Sequence, residues 1–190
     1  VLIAPMWRLV VGHGADSVHE TAFTLSSTYG VPVLPGTALK GLAAATARAA
    51  AKDPDRSDHG IGDVDLGTLF GTPRPGLTSE AHRGSVLVWD GLPIHPPHLV
   101  LDVLTPHVKD YYDSGNKTDG NPSTAPAEYH NPVPVRFLAV EKTQFRAYFL
   151  GPSDDVQDCV TLIRSGLDEW GIGGKTAAGY GYCVSREEAG

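Results

Sequence analysis

Apolar and polar side chains recur along the chain in patterns that predict alternating strands and helices. Residues 2–11 are rich in β-branched and aromatic side chains and predict a strand, while residues 20–26 alternate well enough for a second, partly exposed strand. High strand propensity predicts further strands at 85–89, 137–140, 145–150 and 180–184. The stretch 137–150 is expected to be either a hairpin or one long bent strand.

Two amphipathic helices are predicted between these strands. The first is expected to have Thr37 as its N-cap and to run to about Lys52, and the second to begin at Ser153, also as an N-cap. The apolar positions, spaced by three and four residues, are Leu39, Leu42, Ala43, Thr46, Ala47 and Ala50, then Val156, Cys159, Val160, Ile163 and Leu167. Residues 53–82 are predicted to be mostly loop, with a short apolar piece at 66–70.

The main elements follow the order strand, helix, strand, strand, helix, strand. This order is typical of an α+β, ferredoxin-like (RRM-like) fold, in which two helices cover one face of an antiparallel sheet. We therefore expect residues 1–190 to form a single domain, with a long insertion between the central strands. Such a fold serves RNA-binding proteins, enzymes and binding modules, so function has to be inferred from particular residues.

Composition and charge narrow the class of protein. Hydrophobic residues make up 41% and charged residues 19% of the sequence, as in ordinary globular proteins. We find neither an apolar run of membrane length nor a signal-peptide pattern, and expect a cytoplasmic protein. The formal net charge of −7 argues against a free-standing nucleic-acid binder, yet it permits a subunit that touches RNA within a larger assembly. Cys159 and Cys183 are expected to be core thiols.

A glycine-rich segment, residues 171–181, is the strongest candidate for binding chemistry. It holds five glycines with Lys175 and Thr176, and exposed backbone N–H groups in such a loop suit phosphate oxygens. A nucleotide-binding P-loop is excluded because Glu169 stands where its first glycine belongs and because this loop runs from a helix into a strand. A dinucleotide-binding fingerprint fails at Thr176. The alternative is a connector with a glycine C-cap at Gly171.

A second candidate segment is the start of the first helix, in residues 31–41. Thr37 and Lys40 fall in its first turn, where free N–H groups and the helix dipole favour an anion. The alternative is a capped helix with solvated basic side chains.

A third candidate is the long connection from Leu101 to Pro134. Connections of this length in compact domains usually have a function or are disordered. His107, Lys109, Tyr111 and Tyr112 would supply hydrogen-bonding groups and stacking rings for single-stranded RNA. The alternative is a packing segment whose tyrosines fill a small secondary core.

Together these segments resemble a known family. Residues 35–41 and 171–181 resemble the RAMP superfamily of CRISPR proteins. The segment 101–112, with its Asp-x-Leu-Thr-Pro-His sequence and paired tyrosines, and the segment 131–138 resemble the sixth Cmr subunits of type III-B effector complexes. The resemblance covers about 37–184 in separate blocks that occur in the family's order.

The resemblance implies a non-catalytic subunit that caps a filament of RAMP subunits and holds the 3′ part of a guide RNA. The implied partners are guide RNA, target RNA and the other RAMP subunits, without DNA, membrane, metal or cofactor. The segment 99–134 would be a thumb-like insertion that interrupts pairing between guide and target. The implied RNA-binding residues are Gly36, Thr37, Lys40, His107, Lys109, Tyr111, Tyr112, Gly173, Gly174, Lys175, Thr176 and Gly179. The acidic net charge departs from the family's usual composition.

An alternative within the same superfamily is a metal-independent endoribonuclease that processes guide RNA. The candidate catalytic residues are His13, His19, His107 and Asp102. Cleavage through a 2′-hydroxyl needs two positioned acid–base groups, and no spacing in the sequence pairs these residues. His95 and His98 flank two prolines and lack the spacing of a helical zinc site.

Overall fold

The structure, a computed structural model, describes residues 1–13, 23–52, 65–72, 81–105 and 134–187. The helices of the described residues are α1 (Gly36–Ala50), α2 (Leu66–Phe70) and α3 (Ser153–Glu169). The strands are β1 (Leu2–Pro5), β2 (Arg8–Leu9), β3 (Gly71–Thr72), β4 (His82–Arg83), β5 (Leu87–Val88), β6 (Leu92–Pro93), β7 (His98–Leu104), β8 (Val135–Glu141), β9 (Phe145–Arg146), β10 (Phe149–Leu150) and β11 (Cys183–Arg186).

Bent antiparallel strands form the sheet. Strand β1 pairs with β9 and strand β2 with β8, and the pairing shifts by one residue between the two halves. Strands β6 and β7 pair with β9 and β8 in the same way on the other side. Of the two alternatives for 137–150, the long bent strand is therefore correct. The predicted strand over 2–11 likewise bends, at Met6 and Trp7.

The strand order confirms the ferredoxin-like prediction. Across the sheet the order is β11, β1, β9, β6. If the four strands of the ferredoxin-like fold are numbered along the chain, this order is fourth, first, third and second. All these pairs are antiparallel, with β11 on the outer side of β1.

Helices α1 and α3 pack together on one face of this sheet and bury the predicted apolar stripes. Leu39, Ala43, Cys159, Ile163 and Leu167 belong to the main core with Ile3, Leu9, Val140 and Phe145 from the strands. Both cysteines are free and buried, as expected, and burial raises the pKa of each thiol to about 12. The core therefore lies between the helices and one face of the sheet.

The predicted N-caps of both long helices are wrong. Pro35 is the N-cap of α1 and Pro152 that of α3, so Gly36 and Ser153 are the first helical residues. Proline suits the N-cap position of both helices because its fixed φ is compatible with the extended conformation of that residue. At α1 the capping role passes to a distant side chain, since the Asp90 Oδ1 atom accepts a hydrogen bond of 2.7 Å from the Gly36 N–H.

Several other boundaries differ from the sequence prediction. Of the predicted strand 20–26, the described part forms only an isolated bridge between Leu25 and Pro32. The apolar piece 66–70 is helix α2, which the Asp65 carboxylate caps through the Gly67 N–H at 2.9 Å. Residues 99–104, expected to start the insertion, are instead paired along β8 as part of β7. The last strand begins at Cys183, because the chain still turns through Gly181 at a φ of 76°.

Candidate nucleic-acid interface

The sheet face that points away from the helices carries a second, smaller core. Alternation along β8 turns Phe137 and Ala139 to this face, where both are buried with Val10 and Tyr180. We call this the far face. In many sheets of this topology one face is solvated, but here the glycine-rich segment contributes Tyr180 to its cover.

The glycine-rich segment begins one residue beyond the end of α3, because Trp170, and not the predicted Gly171, is the C-cap. Gly171 follows the last helical residues of α3 with a φ of 71° and donates its N–H to the Gly166 carbonyl oxygen at 3.1 Å. The chain then turns onto the end of β2. Gly174 donates its N–H to the Val10 carbonyl oxygen at 2.7 Å, and Gly181 donates to that of Arg8 at 2.8 Å. Much of the expected phosphate-binding backbone is thus engaged in holding the segment against the sheet.

Two of the predicted glycines serve backbone geometry. Gly173 has a φ of 89°, and a Cβ atom there would overlap the Val10 carbonyl oxygen. Gly179 has a φ of 90° but has open space where a Cβ atom would lie. Between them, Thr176 starts a short 3₁₀ turn, Thr176–Ala178. The glycines therefore allow close approach and tight turning, which place Lys175 and Tyr180.

Lys175 lies over an aromatic ring of the far face. Its backbone is left-handed, with a φ of 63°, and its Nζ atom is 5.0 Å from the centre of the Phe137 ring. His13 contacts the same ring edge-on, with ring centres 5.4 Å apart. Burial, and then the nearby Lys175 charge, lower the pKa of His13. An anion beside Lys175 and His13 would find one ammonium group and a neutral imidazole.

A charged network lies next to this aromatic group. The Arg8 Nη1 atom is 2.6 Å from Asp102 Oδ2, and Arg8 Nε is 3.2 Å from Glu141 Oε2. The Tyr180 hydroxyl donates to Asp102 Oδ2 at 2.5 Å. Burial favours a higher pKa for Asp102, but hydrogen bonds from Tyr180, the Val103 N–H and Arg8 outweigh it and lower the pKa. Asp102 therefore stays ionised and fully engaged, which suits a structural carboxylate better than a catalytic base.

Sequence reasoning missed three residues of this surface: Trp7, Arg8 and Phe137. The Trp7 ring lies 4.9 Å from the Tyr180 ring and 5.0 Å from the Arg8 Cζ atom. No local motif marks these residues, because the contacts join positions far apart in the sequence. Tyr180 lies within the glycine-rich segment, and its aromatic side chain is the one feature of the local sequence that indicates this surface.

The start of α1 places the other predicted residues. The Gly36 N–H is bound by Asp90, so a protein carboxylate already uses part of this helix terminus. Thr37 is exposed, as the second helical residue. Lys40 extends towards α2, with its Nζ atom 5.6 Å from the centre of the Phe70 ring. Lys40 and Lys175 thus stand over different aromatic rings.

The remaining candidates lie outside the described residues. These are His107, Lys109, Tyr111 and Tyr112 of the long connection, and His19 of the ribonuclease alternative. In the described ranges no group of three His, Cys, Asp or Glu side chains could hold a metal ion. Nor does any helix in those ranges have the length and apolar character needed to cross a membrane.

Fold and surface together define an α+β protein of ferredoxin-like topology. Its far face carries aromatic rings and Lys175, which the glycine-rich segment holds over Phe137. The family model of the RAMP superfamily matches residues 4–184, and the chain belongs to that superfamily. It is 30% identical over 226 aligned positions to the CRISPR system Cmr subunit Cmr6 of Pyrococcus furiosus. That alignment covers 93% of this chain and 65% of the relative, so the chain spans just under two thirds of the relative's length.

Solved structures agree on the fold. A chain of the type III-B Cmr-beta complex bound to cognate target RNA superposes with a TM-score of 0.64 at 18% identity, covering 98% of this chain and 57% of that chain. A chain of the Cmr-beta complex in its apo state gives a TM-score of 0.53 at 13% identity, covering 97% and 95%. At these identities the likeness concerns the fold.

Proposed function

We propose that this protein is a non-catalytic, RNA-binding subunit of a type III-B CRISPR effector complex that acts in antiviral defence. It holds the 3′ part of the guide RNA and caps the filament of RAMP subunits. Its partners are guide RNA, target RNA and the other RAMP subunits. Membership of the superfamily, with the likeness to Cmr6 over 93% of the chain, supports this assignment.

The observation that carries the RNA contact is the position of Lys175. The glycine-rich segment is fixed to β2 by the Gly174 and Gly181 N–H groups, and it presents the Lys175 ammonium above Phe137. A cation on a rigid, partly apolar surface suits a nucleic-acid backbone flanked by bases. Thr176 and Lys40 are proposed as further phosphate contacts. The connection that follows β7, with His107, Lys109, Tyr111 and Tyr112, is proposed as the thumb between guide and target.

The test removes the lysines from the assembled complex. With Lys40→Ala and Lys175→Ala together, we expect weaker retention of guide RNA or incomplete assembly. Lys175→Met keeps the side-chain stem over Phe137 and removes only the charge. The matched control is Lys52→Ala, an exposed lysine just beyond α1. Complexes that keep full-length guide and normal subunit composition without Lys40 and Lys175 would show that these phosphate contacts are wrong.

A guide-processing ribonuclease is the second candidate, and one observation favours it. The lowered pKa of His13 leaves a neutral imidazole at pH 7, as a general base needs, beside the Lys175 charge. On this hypothesis the purified protein cuts repeat RNA in the presence of a chelator, and His13→Ala or His107→Ala abolishes the cutting. We expect no cutting, since Asp102 is held by Arg8 and Tyr180.

A further inference from the structure

Trp7 is the exposed end of a row of aromatic rings on the far face, and we propose that it is a stacking platform for an unpaired RNA base. The inference rests on the proposed function and adds a contact that the glycine-rich segment does not provide. It also gives the ligand's chemistry at this position, namely a base instead of a phosphate.

The geometry holds the Trp7 ring in place before any ligand arrives. Trp7 lies in the bend between β1 and β2, and the residue remains 49% exposed although Tyr180 and Arg8 contact it. Both neighbours are themselves fixed, because Asp102 binds the Tyr180 hydroxyl and the Arg8 guanidinium. A ring supported in this way loses little conformational freedom when a flat ligand stacks on it.

The charges around Trp7 favour a base over a phosphate. The Arg8 guanidinium is bound by two carboxylates, Asp102 and Glu141, which would repel a phosphate placed beside it. A neutral base meets no such repulsion and gains contact with an open aromatic surface.

A phosphate site at the other end of the row is consistent with this arrangement. The Tyr180 and Phe137 rings meet at 5.8 Å, and Lys175 lies over Phe137. Tyr180 and Phe137 are buried, so within the described part of the chain Trp7 is the ring of this row that a base can reach. One strand of RNA crossing the far face would place backbone near Lys175 and a base on Trp7.

Photochemical crosslinking in the assembled complex tests the contact and its source. Complexes carry photoreactive pyrimidines in the guide RNA in one arm and in the target RNA in the other. Trypsin cuts after Arg8, so a nucleotide attached to Met6 or Trp7 is found on the peptide that ends there. We expect that adduct in one arm, which identifies the RNA. Adducts only elsewhere on this chain would overturn the Trp7 contact alone, whereas none anywhere on the chain would overturn the proposed function too.

Two variants separate stacking from folding. Trp7→Ala should weaken guide or target binding by roughly 5- to 150-fold, the effect of losing one base–aromatic stack. Trp7→Phe, which keeps an aromatic face, should recover most of that loss. The matched control is Trp89→Ala. Trp89 is also an exposed tryptophan that contacts a tyrosine ring, Tyr148, but it lies outside the row of rings that contains Trp7. Equal effects of Trp7→Ala and Trp89→Ala, or loss of a protein subunit at unchanged RNA affinity, would overturn the proposal.

Discussion

At Gly173 the main chain passes so close to the end of β2 that any side chain would meet the Val10 carbonyl oxygen. Its φ of 89° is also one that only glycine adopts without strain. The contact fixes the segment that carries Lys175, so the position of the Lys175 ammonium group depends on the absence of a side chain two residues earlier.

Gly173→Ala should therefore lower the free energy of unfolding by about 2 kcal/mol or more, from left-handed strain and overlap with backbone together. Gly179→Ala separates the two causes, because Gly179 has nearly the same positive φ in open space, and this change should cost only about 1 kcal/mol. Gly41→Ala, at an open position of α1, should stabilise by about 1 kcal/mol. Urea unfolding of the three variants measures each value, and equal costs at 173 and 179 would contradict the close approach.

Tyr180 and Asp102 give a second prediction at this scale, because their hydrogen bond ties the glycine-rich segment to β7. Tyr180→Phe keeps the ring and removes the donor, and should cost about 1 kcal/mol at pH 7. The folded-state pKa of Asp102 is lowered, so the stability that it contributes is present above its ordinary value and lost as pH falls. The difference between wild type and variant should be full above the ordinary carboxyl pKa of about 4 and should shrink as the pH falls from there through the lowered pKa of native Asp102. A difference that stays constant down to the lowest pH at which the protein remains folded would contradict this role.

At the scale of the elements, the packing of α1 against α3 depends on a glycine, Gly166. A Cβ atom at Gly166 would lie 2.5 Å from Thr46 Oγ1 and 2.7 Å from Leu42 Cγ. Helices approach this closely only where one of them offers a small residue. The contact sets the distance between the two helices that cover the sheet.

Gly166→Ala should destabilise the protein by about 1 to 2 kcal/mol, although the same change usually stabilises a helix, because overpacking outweighs helix propensity here. Adding Thr46→Ala should recover part of the loss, with a coupling of about 0.5 kcal/mol or more in a double-mutant cycle. Thermal or urea unfolding of the single and double variants provides the values. Additive effects would mean that the helices do not touch at this point.

The elements also show what sequence periodicity can predict. The stripes of α1 and α3 and the order of strands follow from local spacing, and they were predicted correctly. The N-caps were not, because the group that binds the Gly36 N–H is Asp90, which is remote in sequence. The network of Arg8, Asp102 and Tyr180 joins three distant segments in the same way. Local patterns predict elements, whereas the far face arises from their pairing.

At the scale of the whole molecule, the chain is acidic and its candidate RNA surface carries few positively charged side chains. The formal net charge is −7, and the Arg8 guanidinium beside Trp7 is bound by Asp102 and Glu141. Long-range attraction to RNA is therefore weak, and the RNA contact that we propose relies on shape, stacking and the position of Lys175. This balance suits a subunit that meets RNA already held within an assembly.

The two cysteines test whether the described core unfolds as one unit. Cys159 lies in α3 and Cys183 in the outer strand β11, and burial raises the pKa of each thiol to about 12. At pH 8 the native protein should therefore react very slowly with a thiol reagent, since the thiolate is the reacting species and both sulfurs are shielded. If the fold opens cooperatively, both thiols should become reactive at one rate, which rises with urea along the global unfolding curve. Comparing Cys159→Ala and Cys183→Ala variants assigns each rate. Much faster labelling of Cys183 would show that β11 separates from β1 before the core opens, and would divide the proposed single domain into two folding units.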